Sequence, residues 1–100
     1  MPYARFNEFE ASDDRSTPTY DGVQAELGVE RDPPPGLIFH SAGFGEHGKF
    51  RIYEVWESRE AAERFFNERI MPAVQKITEG EPRPPAVQEL YELHNFWRPG

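Results

Sequence analysis

Two proline-rich connectors, Asp32-Pro33-Pro34-Pro35-Gly36 and Pro82-Arg83-Pro84-Pro85, divide this chain and limit what it can fold into. Proline lacks the backbone N–H that a helix interior or a central strand needs, so each connector must lie between elements. Each follows a segment with helical spacing and precedes one with strand character. The chain therefore reads as two halves, each strand, helix, proline connector, strand.

In the first half, residues 3–10 read as a strand, with Tyr3, Arg5, Asn7 and Phe9 on one face and Ala4, Phe6 and Glu8 on the other. Residues 11–16 are polar and loop-like. Ser16-Thr17-Pro18 is a helix start, a hydroxyl cap followed by proline in the first turn. That helix is expected to run to about Leu27 with Tyr20, Val23, Gln24 and Leu27 on one stripe, and Gly28 ends it. Residues 37–44 form the second strand, Gly45-Glu46-His47-Gly48 a hairpin loop, and residues 49–57 the third strand. Ser58 caps a second helix reaching Glu79, with Ala62, Phe65, Phe66, Ile70, Ala73, Val74 and Ile77 on its apolar face. Pro72 sits inside that pattern and predicts a kink or a brief break, because it cannot donate to the carbonyl of Glu68. Residues 86–96 form the fourth strand.

The order β-α-β-β-α-β is the ferredoxin-like arrangement: one α+β domain over residues 1–100, a four-stranded antiparallel sheet with two helices on one face. Two helices cover one sheet face only. Yet the third strand places Phe50, Ile52 and Trp56 on one side and Tyr53 and Val55 on the other, and the second is apolar on both sides as well. A sheet with one wet face alternates more cleanly than this. A second copy packed sheet against sheet would cover such a surface, so a homodimer is expected; the alternative is a monomer whose N-terminal loop folds over the open face.

The charge narrows the function. Eighteen acidic and 11 basic side chains give −7, which argues against nucleic acid and against an anionic membrane surface. No apolar run is long enough to span a bilayer, the N-terminus lacks a signal-peptide pattern, and cysteine is absent, so a cytoplasmic location without disulfides is expected.

The segment Tyr53-Glu54-Val55-Trp56-Glu57-Ser58-Arg59-Glu60-Ala61-Ala62-Glu63-Arg64-Phe65 resembles the third-strand-to-second-helix region of antibiotic-biosynthesis-monooxygenase-like proteins, which are dimeric α+β barrels. Pro33-Pro34-Pro35-Gly36-Leu37-Ile38-Phe39-His40 and the terminal His94-Asn95 are similar to a sub-group of small bacterial members. In layout the resemblance spans residues 1 to about 97. It implies one of several activities: cofactor-free oxygenation of polyketide-like aromatics, haem degradation, isomerisation, decarboxylation or none, since fold does not choose among them. The haem-degrading type carries a ligating histidine on the second helix. Residues 58–79 contain none, which weighs against that activity despite Asn7 on the first strand.

His40 is the candidate base. If the hairpin closes with Phe44 opposite Lys49, His40 faces Tyr53 and Leu37 faces Trp56. An imidazole beside a phenol in an apolar cleft suits deprotonation of a phenolic substrate whose anion reacts with oxygen. The structural alternative is a core histidine bonded to a carbonyl or to Tyr53. Trp56 and Phe66 would be pocket walls, with Phe65 and Tyr91 beside them, although aromatics at these spacings also make ordinary core. His94, near the end of the fourth strand, could approach the partner's second strand and contact substrate there, or make an interface hydrogen bond. His47 reads as an exposed loop residue. Arg51 and Glu54 are charges within a strand that pair across the sheet or at the interface. The histidine spacing matches no metal-ligand motif, and no nucleophile-elbow motif is present. The reading is thus a small-molecule protein, a cofactor-independent monooxygenase with His40 and Tyr53 as catalytic residues and Trp56, Phe66 and His94 at the substrate. The alternative is a non-catalytic hydrophobic-ligand carrier or a purely structural dimer.

Overall fold

The computed structural model describes residues 1–10 and 14–99. Its elements are β1 (Tyr3–Phe9), α1 (Pro18–Leu27), β2 (Leu37–Phe44), β3 (Phe50–Trp56), α2 (Arg59–Phe65), a π-helical turn (Phe66–Ile70), α3 (Met71–Ile77) and β4 (Val87–Glu92). The four strands form one antiparallel sheet in the order β2-β3-β1-β4. This is the expected ferredoxin-like α+β arrangement. Part of the expected 11–16 loop, residues 11–13, lies outside the described residues. Among the described residues no helix is long and apolar enough to cross a membrane.

Local chemistry sets the helix ends. Gly28 closes α1 in the left-handed conformation at φ 61° and donates its N–H to the carbonyl of Gln24. Ser58 accepts from the Ala61 N–H at 3.1 Å and starts α2. The start of α1 differs from expectation. The Thr17 hydroxyl donates to Asp21 Oδ1 at 3.1 Å instead of accepting from the backbone, so α1 has no side-chain cap. The break expected at Pro72 takes the form of the π-turn immediately before it. There the Met71 N–H reaches back to the Phe66 carbonyl, the helix gains one residue per turn, and α3 resumes with Pro72 in its first turn, where the missing N–H costs little.

The core on the helix side is Trp56, Ala62 and Phe65, with Leu27, Val29, Leu37, Ala61, Ile70 and Leu90 packed around it. The Trp56 and Phe65 ring centroids lie 5.4 Å apart.

Register departs from the sequence reading. Phe44 pairs with Phe50, so the hairpin loop holds residues 45–49, one more than expected. The Gly45 N–H donates to the Lys49 carbonyl (2.9 Å) and closes that loop. His40 consequently pairs with Glu54, and Tyr53 with Ser41 on the opposite sheet face. A β-bulge between Leu37 and Phe39 absorbs the offset, which restores the expected Leu37–Trp56 pair and turns Leu37 to the helix side, away from Phe39. The fourth strand ends at Glu92 rather than Phe96. Its partner β1 runs out at Pro2, whose carbonyl accepts the last bond, from the Leu93 N–H at 2.9 Å.

The face away from the helices carries Ala4 and Val55, both buried, flanked by Phe39 and Tyr91, each 40% exposed. Phe39 and Tyr53 are in ring contact at 5.6 Å. Tyr91, expected as a pocket wall under the helices, therefore belongs to this outer face: it pairs with Ala4, while its neighbour Leu90 points to the core.

Gly36 lets the first proline connector meet the second helix. Its φ is +89°, and a methyl placed there would come within 2.6 Å of the Ala61 Cβ. Its carbonyl also accepts the Glu57 N–H at 2.7 Å. Gly36→Ala would combine an unfavourable backbone region with a clash against a rigid side chain. The expected outcome is a loss of about 2–3 kcal/mol in urea unfolding, with Gly43→Ala, which has open space around it, as the mild control.

Candidate functional site

One transverse row crosses the helix-facing side of the sheet. His40 on β2 pairs with Glu54 on β3, Glu54 with Arg5 on β1, and Arg5 with Leu90 on β4. The row is polar and ionic at three of its four positions, where a sheet under helices would ordinarily be apolar. Glu54 is 7% and Arg5 9% exposed. Charges buried this deeply are expensive unless partnered, so their partners define the site.

Glu54 is the centre. Its Oε2 lies 2.7 Å from His40 Nδ1, and its Oε1 accepts from the Trp56 indole N–H at 3.2 Å. The other imidazole nitrogen, Nε2, is 2.5 Å from the Tyr20 hydroxyl. Tyr20 comes from α1, where Val23 on the same stripe is buried. The Tyr20 ring lies nearly parallel to the imidazole, at 5.9 Å and 10°, and meets Phe50 edge-on at 5.0 Å. With a carboxylate at Nδ1, that nitrogen carries the proton and donates; Nε2 then accepts from the phenol. The result is a chain of donors, Tyr20 to His40 to Glu54, in the hydroxyl–imidazole–carboxylate order that serves proton transfer in hydrolytic triads. Burial, and then the Glu54 carboxylate, push the Tyr20 phenol above its ordinary value, so it stays neutral and able to donate around neutral pH.

Arg5 flanks Glu54 on the other side. Its guanidinium stacks over the Phe66 ring at 4.2 Å, and burial lowers its proton affinity while the Glu54 charge partly restores it. Arg5 also lines a cleft of about 160 Å³ with Glu63, Phe66, Asn67, Gln88, Glu89 and Leu90. Two positions along β1 on the same face, Asn7 carries a buried side-chain oxygen that accepts no hydrogen bond. A second, more open cleft of about 270 Å³ lies between α1 and α3 at Leu27, Arg69 and Pro72. Neither cleft is lined by His40. Among the described residues no group of three or more His, Cys, Asp or Glu side chains is arranged to hold a metal ion.

The residues singled out from sequence separate accordingly. His40 is in the row, with its side chain 22% exposed. The expected His40–Tyr53 pair is not formed, because the one-residue difference in the hairpin loop sends Tyr53 to the outer face. Trp56 is fully buried and serves as a donor behind Glu54 rather than an open wall. Phe66 does line a cleft, the one at Arg5. His94 is exposed, two residues beyond β4. Tyr20, Arg5 and the central role of Glu54 were missed. The available signal was charge inside strands: Arg5 and Glu54 each share strand parity with residues that otherwise face the core.

No protein-family model matches this sequence, and no curated protein sequence matches it. Solved structures do match in fold. A Mycobacterium tuberculosis protein, Rv0793, superposes with a TM-score of 0.71 at 16% identity, covering 96% of this chain and 98% of that one. A Deinococcus radiodurans protein described as a proposed antibiotic biosynthesis monooxygenase gives 0.68 at 14%, covering 100% and 99%. A variant of SnoaB, a cofactor-independent oxygenase from Streptomyces nogalater, gives 0.64 at 14%, covering 95% of each chain. At such identities the agreement is one of architecture, and the chain has the fold of the antibiotic-biosynthesis-monooxygenase-like proteins that its sequence resembles.

Proposed function

We propose that this protein is a cofactor-independent monooxygenase of small aromatic substrates, with Tyr20, His40 and Glu54 as its proton relay. The observation that carries the reading is the half-buried Tyr20–His40–Glu54 chain: an imidazole whose Nδ1 is fixed by a carboxylate presents Nε2 as a base. A fold shared with a protein named as a cofactor-independent oxygenase supports it. In this scheme an acidic C–H or O–H of the substrate gives its proton to the Tyr20 oxygen as the phenol proton passes to His40. Glu54 stabilises the imidazolium so formed. The substrate anion then reacts with molecular oxygen; for an activated methylene, CH2 and O2 become C=O and H2O, with no external reductant. Tyr53, on the outer face, has no part in it.

A second reading has its own observation. Both ring nitrogens of His40 are already bonded and neither cleft touches it, as suits a structural link between α1 and the sheet in a ligand carrier. Oxygen uptake with aryl ketones bearing an acidic methylene separates the two. The oxygenase reading expects turnover of one O2 per substrate, with His40→Ala lowering kcat by about 10²- to 10⁴-fold and KM changing little. Absence of uptake across the panel, or equal rates in wild type and His40→Ala, leaves the carrier.

The relay also has a pH signature. A phenol held above its ordinary value favours the fold in its neutral form; that contribution is complete below about pH 10 and is lost as pH rises through the raised value. Thermal unfolding from pH 8 to 11 should show a steeper alkaline loss in wild type than in Tyr20→Phe. Parallel curves would remove Tyr20 from the relay.

We infer further that two copies pair through the outer face, where Phe39 and Tyr91 stand exposed beside Tyr53. Light scattering on the eluted protein should give twice the mass of one chain, and Phe39→Lys should shift it toward the monomer. A wild-type monomer at micromolar concentration would end that inference.

A further inference from the structure

We propose that the cleft beside Arg5 binds a planar organic carboxylate of single-ring size. The assignment deepens the reading above by naming a ligand class, and it rests on taking the space between helices and sheet as the ligand site.

Arg5 is the reason. It sits in the middle of β1 and faces the helices, nine-tenths buried. A guanidinium carries five N–H donors in a fixed fork. Here one face is covered by Phe66, and Glu54 contributes charge from across the strand pair, but no side-chain hydrogen bond to Arg5 is made among the described residues. Both Glu54 oxygens are engaged elsewhere, by His40 and Trp56. The guanidinium nitrogens are not among the buried unpartnered atoms, so they are open to the cleft that Arg5 lines, and a cation with free donors there is stabilised by an anion that can accept from them. The planar fork matches a carboxylate, which takes two parallel N–H bonds.

The cleft supplies the rest. Its volume of about 160 Å³ is close to the roughly 150 Å³ of an apolar cavity that takes up benzene. Phe66 and Leu90 offer apolar surface to a ring, while Asn67 and Gln88 are polar. The two glutamates among the lining residues do not decide against an anion. Glu63 is paired with Arg59 at 2.8 Å, and Glu89 pairs with Phe6, which puts its side chain on the outer face by strand parity. Phe66 and Asn67 open the π-turn, a feature often found at functional sites.

The test titrates wild-type protein with benzoate and with benzamide, the neutral compound of the same shape. Heteronuclear NMR follows the Arg5 side-chain Nε–H and the backbone amides of Gln88 and Leu90. Saturable benzoate shifts at these groups are expected, with benzamide weaker by about ten- to a hundredfold, as for a charged hydrogen bond. Arg5→Gln should abolish the preference. Because that change could unfold the row, Gln88→Trp, at an exposed edge-strand position of the same cleft, should block benzoate while leaving Arg5 intact. His40→Ala should still bind benzoate even when turnover is lost, so failure of the relay and failure of this site are told apart. No benzoate binding by wild type at millimolar concentration, equal affinities for the two ligands, or shifts that map elsewhere would each overturn the assignment.

Discussion

The buried carboxylate of Glu54 organises the helix-facing side of this protein. A carboxylate at this depth is tolerated only if its charge is answered, and three neighbours answer it: the His40 imidazole, the Trp56 indole and, across the next strand, the Arg5 guanidinium. Each comes from a different part of the fold. His40 fixes β2 to β3, Tyr20 ties α1 to His40, and Arg5 extends the charge toward β4. Replacing the row by apolar residues of like volume would pack as well. Stability alone therefore does not account for its ionic character.

The helical layer is shaped to leave room over that row. Proline at position 72 rules out an unbroken helix from Arg59 to Ile77, and the π-turn before it lets the helix continue in one direction. The widened turn begins at Phe66, whose ring covers the Arg5 guanidinium, and ends near Arg69, which lies over Phe65 and donates to the Leu27 carbonyl. One local backbone adjustment thus caps the buried cation and docks α1 against the second helical segment. The cleft at Arg5 lies at the edge of this adjustment, which connects the sequence constraint to the surface a ligand would meet.

Much of this was legible before the fold was known, and the failures are specific. Element order, the ends of α1 and β2, the Ser58 cap, the break at Pro72 and the ferredoxin-like topology follow from prolines, caps and periodicity, which act within a few residues. Of the residues singled out from sequence, His40 lies in the row and Phe66 lines a cleft. The partner of His40 was misread as Tyr53 because β2 and β3 are apolar on both faces, and such strands specify register weakly. The hairpin loop decided it: five residues between Phe44 and Phe50, not four, move every cross-strand pair by one until the bulge before Phe39.

The sequence by itself determined the elements and their order, because backbone donors, caps and proline geometry are local. Only the tertiary structure decided which side chains meet. Arg5, Tyr20 and Glu54 lie far apart in the chain, and nothing in their own surroundings names their partners. The β1–β3 register set Arg5 against Glu54, the one-residue hairpin offset set His40 against it, and the docking of α1 brought Tyr20 to His40. Such meetings depend on long-range geometry, where a shift of one position exchanges the two faces of a sheet and with them the candidate site.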